Sequence, residues 1–398
     1  DVFEDVAMQM VELINGKLER GEYDQFDSVA GLAGQVTVDL QSISHDLHLS
    51  VQATQPPPRN AGGSDISQEE RAQRRLDRAR ARNFGFKRIE MLPGNVGYLE
   101  MSGFEDADLG GDTAVAAMNF LANSSAIIFD LRQNGGGSPS MIQLISSYLF
   151  EEPQHLNSFH VRRTDSIDQF WTQARVQGPK MVDTPVYVLT SGRTFSAAEE
   201  FTYNLKNMER ATVVGETTGG GAHPVDMVMM DLGDGHFARM SLPFGRAVNP
   251  ITGTNWEGTG VKPNIETPAA QALDIAQIEI LKSLSAAATD DGEKFGYDWA
   301  LDELDYRLNP VDSPLDGASA YVGQYGPRKI SLENDQLMYQ RGEAQKLPLT
   351  PMRKTDHFHV GELDYFRIQF ERNSRGEVTG LVGQYNDGRT DRNPKQGG

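Results

Sequence analysis

Apolar residues near the N-terminus recur every three or four positions. Val6, Met10, Leu13 and Ile14 form one stripe, and Leu32, Val36, Leu40 and Ile43 a second. That is the period of helices with one buried face. A Gly- and Asp-containing connection, residues 21–27, separates them. Residues 1–52 are therefore expected to form an N-terminal helical bundle. Residues 53–64, with Pro56, Pro57, Pro58, Gly62 and Gly63, read as a linker by composition. The Arg-rich run from Glu69 to Arg82 predicts a solvated helix or lid. Together, 53–90 is expected to be a linker followed by a charged helical segment.

From Asn95 the texture changes. Short apolar runs at 96–101, 126–131, 186–191 and 211–215 predict buried strands. Helical patterns at 113–122, 141–150 and 197–208 lie between them. Strands alternating with helices at these spacings indicate βα units and a largely parallel sheet. A long helix is expected over 269–288, after Pro268. The α/β region as a whole is placed at 91–292. Beyond Pro314 the helical period disappears. Short strand candidates at 321–325, 329–332, 337–340, 357–360, 366–371 and 378–384, punctuated by Gly, Asn and Asp, predict a small antiparallel β domain over 313–392. No internal repeat is evident.

The chain has 398 residues, 38% hydrophobic and 23% charged, which fits a globular protein of two or three domains. No apolar run approaches the roughly 18–20 residues of a membrane span. A net charge of −19 disfavours nucleic acid and anionic membrane surfaces as partners. The absence of cysteine excludes disulfides, thiolate metal sites and a cysteine nucleophile.

Four segments carry candidate chemistry. Thr190-Ser191-Gly192-Arg193-Thr194-Phe195-Ser196-Ala197-Ala198-Glu199 joins a buried strand to a helix. It places Ser196 at the helix N-terminus, where unpaired backbone N–H groups converge. Ser196 is the candidate nucleophile and Ala197 N–H a candidate oxyanion donor; the alternative for Ser196 is an ordinary N-cap. Asp130-Leu131-Arg132-Gln133-Asn134-Gly135-Gly136-Gly137 also follows a buried strand. Its bare backbone lets a substrate oxygen approach closely, so Gly136 or Gly137 is the second candidate donor. This turn lacks the Lys-Ser/Thr ending of a phosphate loop and the spacing of a dinucleotide fingerprint. The third segment is Gly215-Glu216-Thr217-Thr218-Gly219-Gly220-Gly221-Ala222-His223-Pro224. The fourth is Asn255-Trp256-Glu257-Gly258-Thr259-Gly260-Val261-Lys262-Pro263-Asn264. His357 and His359 alternate and so share one strand face. With no third ligand evident, they predict an exposed strand rather than a metal site.

In this order, over about 95–267, the four segments resemble the tail-specific, or C-terminal processing, peptidase family. There a D-L-R-x-N-x-G-G turn precedes a nucleophile turn, a G-E-x-T-x-G-x-G loop and a G-V-x-P-D-like loop. The N-terminal region with Ser44-His45-Asp46-Leu47-His48-Leu49 resembles the branch that includes tricorn protease and the interphotoreceptor retinoid-binding protein repeats. The β segment weakly resembles small domains attached to some bacterial hydrolases. Gly221 departs from the family's Ser-Lys members, which carry a lysine there, and no segment reads as their PDZ module.

The resemblance implies a crotonase-like (ClpP/crotonase) α/β core and peptide-bond hydrolysis through an acyl-enzyme on Ser196, without metal or organic cofactor. The substrate expected is a peptide or unfolded protein, with action near polypeptide C-termini as a narrower expectation. In the tricorn-like branch a Ser-His pair comes from upstream and a glutamate from the loop before G-V-x-P. Ser44, His45 and Glu257 match those roles: His45 as general base, Ser44 as its orienting partner, and Glu257 acting through Ser44 or a water. His223 is the rival base. His45 has a plain alternative too, since histidine is favoured at helix C-termini. The resemblance also implies export to a periplasm or cell surface as a mature chain. Two other functions remain open, a non-catalytic retinoid-type ligand carrier on the same scaffold and an esterase or amidase using the same serine.

Overall fold

The computed structural model describes residues 2–56, 66–311 and 317–397. The expected linker falls largely outside them, as does the expected start of the β domain at Ser313 and Pro314. The chain divides into two compact units, residues 1–276 and 277–398.

The first unit opens with α1 (Glu4–Glu19) and α2 (Val29–Ser44). Ser28 caps α2, its Oγ accepting from Gly31 N–H at 3.1 Å. Asp39 of α2 ties the two helices together by accepting from Lys17, Tyr23 and Gln35 at 2.7–2.9 Å. Their apolar stripes do not close on further helices, as a bundle requires. They close on a three-stranded antiparallel sheet of β1 (Ser50–Thr54), β9 (Val225–Gly233) and β10 (His236–Pro243), in the order β1-β10-β9. Met10, Ala33, Leu40, Leu49, Val51 and Ala238 form that core. Next comes the charged helix α3 (Gln68–Ala81), started by a Ser67–Glu70 capping box.

The central sheet has six strands: β2 (Phe86–Leu92), β3 (Val96–Met101), β4 (Ala126–Asp130), β7 (Val186–Thr190), β8 (Ala211–Gly215) and the two-residue β12 (Ile265–Glu266). Its order is β12-β8-β7-β4-β3-β2. All pairs are parallel except β2–β3. β4 is buried at every position, as expected for a strand covered on both faces. Between the strands run α4 (Ala107–Leu121), α5 (Pro139–Ser146) and α6 (Ala197–Asn207). Phe104, Met118, Phe129, Met141 and Phe201 are buried in the core of this layer. A second small sheet, β11-β5-β6, comprises β5 (His155–Val161), β6 (Ser166–Trp171) and β11 (Gly245–Val248). The division between units falls inside α7 (Ala272–Ala287).

The second unit carries α8 (Asp291–Leu308) and an antiparallel meander of eight strands. These are β13 (Gly323–Tyr325), β14 (Arg328–Glu333), β15 (Gln336–Arg341), β16 (Leu347–Pro351), β17 (His357–Val360), β18 (Phe366–Arg372), β19 (Val378–Tyr385) and β20 (Thr390–Pro394). A bridge between Tyr325 and Lys395 brings the ends together, giving a barrel-like sheet around Tyr325, Phe358, Ile368, Phe370 and Leu381. β17 is not exposed as the alternation suggested: His357 and His359 are both buried. His359 Nε2 meets Glu303 of α8 at 3.1 Å, and its ring stacks on Tyr306 at 4.3 Å.

Candidate active site

The motif segments converge at the C-terminal ends of β4, β7 and β8, where an open parallel sheet places its sites. Their mutual hydrogen bonds account for the residue types. Asp130 accepts from the Arg132 guanidinium at 2.9 and 2.5 Å and from Tyr98 Oη at 2.6 Å. This fixes the turn after β4. The turn after β7 is fastened to it: Thr194 Oγ1 donates to Leu131 O, Ser191 Oγ to Arg132 O, and Phe195 N–H to Asn134 O.

Ser196 sits at φ 57°, ψ −124°, a left-handed conformation that non-glycine residues avoid. This is the sharp strand-to-helix elbow that exposes a nucleophilic hydroxyl at the top of a sheet. The elbow needs glycine opposite it. A Cβ on Gly136 would lie 2.6 Å from Ser196 Cβ and 3.0 Å from Ala197 N. The structure also separates the two candidate oxyanion donors. Gly136 N–H is already given to Asn134 Oδ1 at 2.9 Å. The N–H groups of Gly137 and Ala197 have no acceptor among the described residues, and both residues line the cavity that Ser196 opens into.

Glu199, which the sequence reading passed over, binds the third segment to the nucleophile turn. It is fully buried. Its carboxylate accepts from Ser196 N–H (2.9 Å), Thr218 Oγ1 (2.5 Å), Gly220 N–H (2.6 Å) and Gly221 N–H (2.8 Å). Burial pushes its pKa up, and these four bonds oppose the rise. The Ser-x-x-Glu spacing of a capping box is the signal that points to it. The fourth segment closes the loop from above, Trp256 Nε1 donating to Gly221 O at 2.7 Å and Gly258 N–H to Gly220 O at 2.9 Å.

The expected base is not at this site. His45 is the C-cap of α2, with φ 55°, ψ 12° and an exposed side chain. Ser44 Oγ is turned to Asp46 N–H at 3.2 Å, so it braces the turn rather than orienting an imidazole. The left-handed residue redirects the chain after the helix and brings Asp46 and His48 inward. His48 N–H donates to Asp46 Oδ1 at 2.8 Å. The His48 ring lies 4.6 Å, centroid to centroid, from that of Phe195, the neighbour of Ser196. A Cβ on Gly221 would meet the Phe195 ring and lie 2.6 Å from His48 Cε1. The imidazole therefore fills the room of a side chain at the position where the Ser-Lys pattern has its lysine.

His48 and His223 both line the roughly 280 Å³ cavity with Ser196. Burial holds the His48 pKa below the usual imidazole value against the pull of Asp46. His223 Nδ1 stands 2.7 Å from Asp46 Oδ2 and 3.7 Å from Glu257 Oε2. Glu257 Oε2 accepts from Ala222 N–H at 2.6 Å. Burial, with Asp46 close by, pushes the Glu257 carboxyl up to about 7. His48 Nδ1 and Glu257 Oε1 are both buried without a partner among the described residues. Asp46, His223 and Glu257 bring donor atoms within 4.8 Å of one another, a set that could ligate a divalent cation. Those contacts are already made, however: Asp46 serves His48 N–H and His223, and Glu257 serves Ala222 N–H.

Residues 95–267 match the sequence model of peptidase family S41, and residues 2–77 match that of the N-terminal domain of this peptidase in eukaryotic IRBP. Similar solved structures include the photosystem II D1 C-terminal processing protease (22% identity, TM-score 0.34, 44% of this chain and 42% of that one). A lipoprotein from Streptococcus agalactiae aligns at 17% identity and TM-score 0.44 over 69% and 88% of the two chains. Mature CPAF aligns at 17% and 0.40 over 49% and 53%. The alignment thus spans less than half of the photosystem protein's length. The first sequence match contains the Ser196 elbow and every loop fastened to it, and the second contains the turn that delivers Asp46 and His48: residues 95–267 are a domain of peptidase family S41.

Proposed function

We propose that this chain is a serine peptidase that cleaves peptide bonds through an acyl-enzyme on Ser196, with His48 as general base. The observation that carries the reading is the strained Ser196 elbow, flanked by the uncommitted N–H groups of Gly137 and Ala197. The sheet and its helices supply a crotonase-type frame for it. Ser196 Oγ attacks the scissile carbonyl carbon and its proton passes to the His48 imidazole. The developing oxyanion is held by Gly137 and Ala197 N–H. The imidazolium returns the proton to the leaving amine as the C–N bond breaks, and a water then hydrolyses the ester by the same relay. Low basicity from burial keeps His48 neutral and able to accept. His48 Nδ1 and Glu257 Oε1 are both buried without a partner among the described residues, and Glu257 is assigned to act on the imidazole at one remove, through water. His223 and Asp46 form the wall beside it.

One observation favours a second assignment. A carboxylate 2.7 Å from His223 Nδ1 is the orienting partner of a triad, and would make His223 the base. Gly221 and the Phe195 contact weigh toward His48. Substrates are peptides or unfolded protein, and the setting proposed is outside the cytoplasm.

A fluorophosphonate probe tests the reading. It should label the wild-type chain, and Ser196→Ala should abolish labelling and lower kcat by on the order of 10⁴ or more. Full-rate labelling of the variant would remove Ser196 from the mechanism. A wild-type chain that never labels would point to a ligand carrier, and turnover of esters without peptides to an esterase.

A further inference from the structure

Glu200 follows Ser196 by four positions in α6, one helical turn along the same face. It is 3% exposed, yet it lines the Ser196 cavity and is the one acidic side chain there. Its Oε1 is buried without a partner among the described residues, as are Asn157 Nδ2 and Oδ1 and Asn204 Nδ2 beside it. No Lys or Arg lines the cavity, whose walls include Pro139, Phe159, Phe244 and Trp256. Burial pushes the carboxyl up to about 7, against the pull of Asn157 and Asn204. A carboxyl so deeply buried is costly even with the two asparagine side chains beside it, and nothing in the elbow or the oxyanion site uses it.

Resting on the peptidase reading, we propose that Glu200 is the specificity-determining acid of the side-chain pocket, selecting a cationic lysine or arginine side chain on the residue that supplies the scissile carbonyl. The aromatic walls cover the aliphatic stem of such a side chain, and the carboxylate meets its charged end. A buried acid in a pocket with aromatic walls and no Lys or Arg is how a serine peptidase reads a basic residue.

The test is a set of peptides differing only at that residue, bearing lysine, glutamine, norleucine or glutamate, given to the full chain after active-site titration with the phosphonate. Lysine should exceed norleucine in kcat/KM by about 10–100-fold, the worth of one charge-assisted bond. Glu200→Gln should bring that ratio close to one. Glu200→Asp, which keeps the charge on a shorter stem, should leave an intermediate ratio. Because each ratio is taken within one titrated preparation, a partly folded variant does not distort it. Any other side chain ahead of lysine in the wild type, or an unaltered ratio in Glu200→Gln, overturns the assignment while leaving Ser196 chemistry intact. Absence of both labelling and hydrolysis would overturn the peptidase reading and this pocket with it.

Discussion

A non-glycine residue held at φ 57°, ψ −124° carries backbone strain of about 1–3 kcal/mol. Ser196→Gly should therefore unfold at higher denaturant than Ser196→Ala, by about 1 kcal/mol, with both variants inactive. Equal midpoints in urea would show that the elbow is not strained. Ser196 was legible because a buried strand, small residues and a helix start leave few conformations for the turn. The base was not. Ser44, His45, Asp46, Leu47 and His48 offer two histidines, and the choice depends on one backbone angle. His45 takes φ 55° at the helix end, which leaves its side chain in solvent and turns His48 inward. No local propensity distinguishes that outcome from a helix continued by one more residue. Glu199 and Glu200 were readable as helix N-terminal acids, but their burial depends on loops far away in sequence.

Among the elements, what builds the site is the fastening of four loops to one another rather than any single motif. Glu199 joins the turn after β7 to the loop after β8, and Trp256 joins that loop to the next. Gly221 is a tight point beside the imidazole. A Cβ there meets Phe195 and lies 2.6 Å from His48 Cε1, so Gly221→Ala should displace the imidazole. A shift of about 1 Å costs on the order of 10² in rate. kcat should fall about that far while the chain still melts cooperatively; an unaltered kcat would remove His48 from the position assigned to it. The parallel strands β3, β4, β7 and β8 were legible from their continuous apolar runs, and the two-residue β12 was not. β5, β6, β9, β10 and β11 were not. In β9 Met227, Val228 and Met229 are all exposed, so no alternation marks a buried face. β5 owes its burial to neighbours in a different part of the chain.

At the scale of the whole molecule, the change from α/β texture to short strands was visible in the sequence, but α8 was not. Only Ala300 and Leu304 are buried along it, too few for a helical stripe. Its membership in the second unit follows from polar and aromatic contacts. Arg367 lies 3.7 Å from the Trp299 ring centroid, and Glu303 accepts from Arg367 Nη2 at 2.9 Å. A cut near Asn309, which the composition shift suggests, strips α8 of these partners. A chain ending at Thr289 should therefore be more soluble than one ending at Asn309, and should label at Ser196 like the full chain. An insoluble or unreactive shorter chain would mean that residues beyond Thr289 complete the first unit. No helix among the described residues is long and apolar enough to cross a membrane.

The pairing of His48 with Ser196 is tested most directly by the pH dependence of kcat/KM in two variants. A general base works deprotonated, so activity should be lost as pH falls through its ionisation. Burial should place that ionisation below the ordinary imidazole value of about 6.5. His48→Ala should erase it and cost roughly 10³–10⁴ in rate, while His223→Ala should retain it with a smaller loss. Loss of the ionisation in His223→Ala, with its persistence in His48→Ala, would contradict the account and make the Asp46–His223 pair the catalytic one.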